Sequence, residues 1–163
     1  MIRKIGVVAV MVLAGCILLA AVNSSAEKQM PSFKLENVKD GKMLDSRELA
    51  DKAMLITFFA TWCPPCRMEV SELVKLQNNY AEKGFTVVGM SMDNGDGRKV
   101  KKFIDEFSVN YPVVMPDRGI INEYGGIYSI PTTFLVNRKG NVVKMYKGAV
   151  SYGSLAKDLE GVL

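Results

Sequence analysis

One stretch constrains this chain more than any other: Thr57-Phe58-Phe59-Ala60-Thr61-Trp62-Cys63-Pro64-Pro65-Cys66-Arg67-Met68-Glu69, in which an apolar run leads straight into a C-x-x-C pair. From Ala53 to Ala60 the sequence is almost continuously apolar, with no charge after Lys52. That is the pattern of a strand buried on both faces of a helix-covered sheet. Beyond Cys66, apolar residues recur at Val70, Leu73, Val74, Leu76 and Tyr80, the stripe of an amphipathic helix. Cys63 is therefore expected where the strand ends and the helix begins.

That position carries chemistry. A helix N-terminus offers unpaired N–H groups and the positive end of the macrodipole, so it favours a thiolate over a thiol. The spacing puts Cys66 on the same face one turn on, within reach of a disulfide. Pro64 suits the first helical turn, where its missing N–H has no intrahelical partner to lose. Because Pro64 and Pro65 both lack that donor, the first amides able to reach the Cys63 sulfur belong to Cys66 and Arg67. Cys63 is expected to be the exposed nucleophile with a lowered pKa, and Cys66 the buried resolving thiol. A structural disulfide or half of a zinc site are the competing uses of C-x-x-C. A four-ligand zinc site needs more Cys or His, and this chain has no His and one other Cys.

The run Phe-Phe-Ala-Thr-Trp-Cys-Pro-Pro-Cys-Arg-x-Glu resembles the thioredoxin-like proteins of the TlpA/ResA group, envelope thiol–disulfide oxidoreductases with a redoxin-type (AhpC/TSA-type) domain. The resemblance extends from about Pro31 to Leu163. It takes in Gly84 to Asp93 (Gly-Phe-Thr-Val-Val-Gly-Met-Ser-Met-Asp), Ile130-Pro131-Thr132-Thr133-Phe134-Leu135-Val136, and Gly140 and Gly148. It implies an α/β thioredoxin fold: a central mixed β-sheet flanked by helices, with an N-terminal β-hairpin extension and a TlpA-type strand–helix insertion.

With 163 residues, 48% of them apolar, the chain suits one globular domain. Residues 1–26 are of another kind. Arg3 and Lys4 precede eighteen uncharged residues, Ile5 to Val22, before Asn23-Ser24-Ser25-Ala26 restores polarity. This is a positively charged start followed by a segment at the lower limit for spanning a bilayer, with the N-terminus inside and residues 27–163 outside. Three fates compete: a signal peptide cleaved after Ala26, an uncleaved membrane anchor, or a lipobox at Leu13-Ala14-Gly15-Cys16 that would acylate Cys16. The apolar tail Ile17 to Val22 argues against the lipobox, and the anchor is placed first. All three put the domain in the periplasm or on the outer face of the cytoplasmic membrane.

An exported domain meets oxidising surroundings, where most disulfides are inert staples. With Cys16 set aside only the C-x-x-C pair remains, and so short a loop gains little from cross-linking, so a redox role is the more economical one. Arg3 and Lys4 aside, 19 basic residues face 17 acidic ones. A net charge of +2 gives no case for nucleic acid. The run Lys99, Lys101, Lys102 reads as the solvated face of a helix.

After a short linker, Phe33 to Leu35 and Lys42 to Leu44 flank an Asp40-Gly41 turn, a hairpin signal, and Ser46 to Leu49 reads as a helical turn. Gly84 is a stop for the cysteine-bearing helix, and Phe85 to Met92 is the next buried strand, completing a βαβ unit. Asp93-Asn94-Gly95-Asp96-Gly97 is similar to a calcium loop but puts Gly95 at a ligand position and Ile104 at the twelfth; it reads as a turn before a helix. Val100, Phe103, Ile104 and Phe107 give that helix one apolar face. With Tyr111 to Met115 it matches the insertion that separates the resembled group from minimal thioredoxin. A short helix from Gly119 to Tyr124, a hairpin of Thr133 to Asn137 with Val142 to Tyr146, and a closing helix from Ser151 to Val162 complete the chain. The Met residues after the leader are scattered and read as core filler.

The resemblance assigns further residues. It implies a cis bond at Ile130–Pro131 lying against the C-x-x-C, so that the Ile130 backbone can pair edge-on with a substrate segment; the residues alone give a cis bond low odds. It places a Glu at 69 close to the dithiol, on the face shared with Cys66. Partly desolvated there, Glu69 would have a raised pKa and could relay the proton of the resolving thiol; a surface salt bridge is the plainer alternative. Trp62, Pro64 and Pro65 are expected to offer substrate a contact surface alongside Ile130 and Pro131. Two departures stand out. Thr57 occupies the place of the buried Asp of minimal thioredoxins, and Ser71 replaces a Pro common in the group, which predicts a straighter helix.

The expected activity is dithiol–disulfide exchange without a cofactor or metal, acting as a reductase on disulfide-bearing protein substrates. The resemblance adds apocytochrome c as a substrate and a membrane thiol-reducing transporter as electron donor. An oxidase or isomerase would share every residue named. A thiol peroxidase is disfavoured because its Thr/Ser-x-x-Cys setting is missing, and a copper chaperone because it would want C-x-x-x-C and a His.

Overall fold

A computed structural model describes residues 28–163; cleavage after Ala26, anchoring and acylation of Cys16 all concern residues outside that range. The centre of the fold is β4 (Ala53–Phe59), whose seven residues are all buried. It pairs in parallel with β5 (Phe85–Ser91) on one side and antiparallel with β7 (Thr132–Val136) on the other. A strand with hydrogen-bonded neighbours and covered faces on both sides needs the uninterrupted apolar sequence seen here.

Around this trio the mixed sheet grows to six strands. β1 (Lys28–Gln29) pairs with β8 (Asn141–Lys147), β8 with β7, and β5 with β6 (Val113–Val114). The expected strand from Tyr111 to Met115 contracts to two residues because Pro112 and Pro116 flank them and cannot donate to a ladder; the Pro112 carbonyl still accepts from the Gly89 N–H at 2.9 Å. β2 (Lys34–Glu36) and β3 (Met43–Asp45) form the expected hairpin, with Gly41 at φ +72° in its turn. The hairpin lies along the β6 edge, where the Val38 N–H donates to the Val113 carbonyl at 2.8 Å. Lys28 and Gln29, read as linker, become a strand because the open edge of β8 offers them partners.

Alternation along β4 divides the core. Ala53, Leu55 and Phe59 face one layer, shared with α1 (Pro64–Tyr80), α2 (Arg98–Glu106) and α4 (Tyr152–Glu160). Met54, Ile56 and Phe58 face the other, with Phe33, Leu49, Tyr124 and the half-buried Ile120 and Ile121 of α3 (Arg118–Glu123). Among these, each fully buried Leu, Ile, Phe or Met side chain contributes about 1.5–3 kcal/mol. α1 runs unbroken through Ser71, and a short 3-10 turn, Ala81–Lys83, leads to Gly84 at φ +80°. A Cβ at that left-handed position would also crowd the Arg138 guanidinium at 3.1 Å.

Candidate active site

β4 ends at Phe59, and the next four residues turn the chain into α1, with the Cys63 N–H donating to the Ala60 carbonyl at 3.1 Å. Cys63 is the N-cap of α1, and Pro64 and Pro65 fill its first two positions. Of the two amides expected near the sulfur, that of Cys66 is 3.4 Å from Cys63 Sγ. The Arg67 N–H donates instead to the Cys63 carbonyl at 3.1 Å. Cys63 and Cys66 are joined as a disulfide, their Cα atoms 5.3 Å apart.

The expectation of an exposed Cys63 over a buried Cys66 does not hold in this oxidised form: each is 4% exposed. The cover comes from across the sheet. The Ile130–Pro131 bond is cis, and the Ile130 carbonyl oxygen lies 3.7 Å from Cys63 Sγ. Sequence separation hides this contact, since the two residues are 67 positions apart. Trp62 projects outward at 68% exposure, as do Met68 and the exposed Pro64, while Pro65 and Ile130 are half-buried and Pro131 is buried.

On β4 and β7 the buried Thr57 and Thr133 face each other in register, and the Thr133 hydroxyl donates to Thr57 Oγ1 at 2.9 Å. A neutral, paired hydroxyl thus stands at the position where the resemblance puts the buried Asp of minimal thioredoxins. Glu69, one turn beyond Cys66, is 3% exposed. Burial pushes its carboxyl up to about 7, against the lowering effect of the Val150 N–H, which it accepts at 2.9 Å. Tyr111 packs nearby, its phenol pushed up by burial and by the Glu69 charge.

Two residues to which sequence reasoning assigns other roles, Asp93 as part of a turn and Arg67 as an amide near the sulfur, hold the turn into α1 by their side chains. Asp93, at the end of β5, accepts the Thr61 N–H at 2.8 Å and the Thr61 hydroxyl at 2.6 Å, and Ser91 donates to it at 2.9 Å. Arg67 donates to the Thr61 carbonyl at 3.3 Å, pairs with Glu106 of α2 at 2.7 Å and lies 4.7 Å from the Phe107 ring centroid. The available signal was register: Phe59 pairs with Ser91, so the loops after β4 and β5 leave the sheet side by side.

Comparison with known proteins agrees with this geometry. The Redoxin family model matches residues 25–163. The chain is a member of the Redoxin family. It is 33% identical over 128 residues to a thiol-disulfide oxidoreductase ResA of Halalkalibacterium halodurans, covering 77% of this chain and 70% of that one. To the ResA of Bacillus subtilis it is 32% identical over 123 residues, 74% and 66% of the two chains. A crystal structure of a thioredoxin-family thiol:disulfide interchange protein from Chlorobium tepidum TLS superposes with a TM-score of 0.79 at 34% identity, covering 86% of this chain and 99% of that one. The thioredoxin fold and the TlpA/ResA resemblance therefore hold, and this redoxin is a thiol–disulfide oxidoreductase with a Cys63–Cys66 redox pair.

Proposed function

We propose that this redoxin works as a reductase of protein disulfides outside the cytoplasmic membrane, to which residues 1–26 attach it. The observation that carries the reading is the Cys63 sulfur at the N-cap of α1, receiving the Cys66 amide. That setting favours the Cys63 thiolate once the disulfide is opened. The thiolate attacks one sulfur of a substrate disulfide, and the other sulfur leaves as a thiol. Cys66 then attacks Cys63 Sγ, releasing the second substrate thiol and re-forming the protein disulfide. Two electrons and two protons pass to the substrate.

Glu69, buried with a carboxyl near neutrality, is suited to take the Cys66 proton as that thiol attacks. Trp62, Pro64, Pro65, Ile130 and Pro131 form the face against which an extended substrate segment lies. Apocytochrome c, or a protein that passes electrons to it, is the substrate class, and a membrane thiol-reducing transporter restores the dithiol. Among the described residues no helix is long and apolar enough to cross a membrane.

The deciding experiment is the reduction potential of the Cys63–Cys66 couple, measured on the full chain in detergent against graded thiol buffers. A value near or below about −250 mV supports a dedicated reductant. A value of about −120 to −180 mV would recast the protein as an oxidant or isomerase.

A further inference from the structure

The loop from Tyr124 to Ser129, which carries the chain from α3 into the Ile130–Pro131 turn, encloses a cavity of about 260 Å³. Its floor is sheet. Register pairs Thr132 with Lys147 and Phe134 with Met145, and all four residues line the cavity. Phe134 belongs to the core layer opposite the one that holds the cysteines. The cavity therefore opens on the far face of the sheet, at the end where the dithiol sits.

Three features set it apart from an ordinary surface dimple. The first is its wall: Tyr124 is 6% exposed, its ring centroid 5.1 Å from those of both Phe58 and Phe134. The second is the uncovered apolar mouth. Met145 is 49% exposed and Tyr128 95% exposed, and Tyr128 lies across Gly126, where a Cβ would come within 2.9 Å of its hydroxyl. The third is position. Ser129 and Thr132 line the cavity and flank Ile130 and Pro131, and the Ile130 carbonyl is 3.7 Å from Cys63 Sγ. At about 3.3 Å per extended residue, a polypeptide held at the dithiol passes the mouth within a few residues of its cysteine.

We infer that this cavity is a side-chain subsite, which selects disulfide-bearing polypeptides carrying a large apolar residue, aromatic above all, at a fixed short distance from the cysteine. A concave apolar site with few polar groups suits such an anchor. The inference rests on the dithiol-exchange reading and adds to it a source of selectivity separate from the cysteines.

The test uses the full reduced chain in detergent and short peptides whose single cysteine is joined to thionitrobenzoate. With the protein in excess, each protein molecule reacts once: its dithiol becomes the disulfide, and the peptide's mixed disulfide is reduced to peptide thiol and coloured thionitrobenzoate. A Phe is moved from two to five residues from the cysteine on either side, with Ala at the same place as control. At one spacing the second-order rate constant for Phe is expected to exceed that for Ala by about tenfold or more, and the ratio should fall close to one in both Met145→Glu and Met145→Lys. Using a ratio within each variant cancels any change in intrinsic thiol reactivity. Equal rates for Phe and Ala at every spacing, or an undiminished ratio in the Met145 variants, would overturn the subsite. Slowing of all peptides alike as protein concentration rises would place a second copy of the chain on this face and overturn it too. No colour from any peptide, Ala controls included, would remove the exchange reading itself and the subsite with it.

Discussion

The Glu69 carboxylate accepts the backbone N–H of Val150 at 2.9 Å across 81 positions of sequence. The bond ties the cysteine-bearing helix to the loop before α4 and gives a buried acid its hydrogen-bond partner. It does not keep that acid at its ordinary pKa: burial outweighs it, and the carboxyl rises from 4.5 to about 7.

A pH dependence follows. Glu69 holds its proton more tightly in the folded than in the unfolded chain, so folding takes up a proton between about pH 4.5 and about 7. Its effect on stability is absent below that window, and stability is lost as the pH rises through it, on the order of 3 kcal/mol by pH 8. Glu69→Gln keeps a carbonyl for Val150 and has no charge to bury. Urea unfolding of the oxidised protein should show the variant more stable than wild type at pH 8, with the gap closing towards pH 4.5. A constant difference across that range would mean that Glu69 does not titrate there.

The two cysteines should separate cleanly. Cys63→Ser is expected to abolish turnover of a disulfide substrate, and Cys66→Ser to stop it at a covalent adduct through Cys63. Non-reducing gel mobility and intact mass, each reversed by added thiol, read the adduct. Normal turnover by either variant would sink the exchange mechanism.

Thr57 and Thr133 form a buried hydroxyl pair, so their effects should not add. Thr57→Val removes the acceptor and leaves the Thr133 hydroxyl buried and unserved, at a cost of about 1–3 kcal/mol. Adding Thr133→Val should recover most of that loss. Denaturant midpoints for both single variants and the double variant supply the coupling; additive losses would show that the hydroxyls do not depend on each other.

Asp93 is expected to act through Thr61. Asp93→Ala leaves the Thr61 N–H and hydroxyl without their acceptor, costing about 1–3 kcal/mol, and frees the turn that carries Trp62. Trp62 is the only tryptophan in the chain, so its fluorescence anisotropy and its quenching by iodide report on that turn directly. Both should change in Asp93→Ala while far-ultraviolet circular dichroism stays the same.

Much of the site was legible because its causes are local. An apolar run gives β4, the Cys63-Pro64-Pro65 order gives an N-cap with prolines in the first turn, and Gly84 gives a left-handed stop. Each depends on residues within a few positions of one another. What failed was non-local. Lys28 and Gln29 have no strand pattern and are strand only because β8 is there to pair with them. Asp93 reads as a loop acid until Phe59 and Ser91 are known to be neighbours.

By itself the sequence determined the chemistry of this protein: two sulfurs at the start of a helix, at a spacing that lets them join, in a chain with no His and one further Cys, too few for a four-ligand zinc site. Backbone geometry within a single turn is enough for that. Only the tertiary structure decided how that chemistry is enclosed. Cys63 is covered because the Ile130 carbonyl comes in from β7's end of the sheet. Glu69 rises towards neutrality because the packed chain buries it, with the Val150 loop and Tyr111 of the insertion close by. The cavity beyond the cis bond exists because Phe134 and Met145 lie side by side. Burial, and contacts between distant segments, are properties of the packed chain, and no stretch of sequence carries them alone.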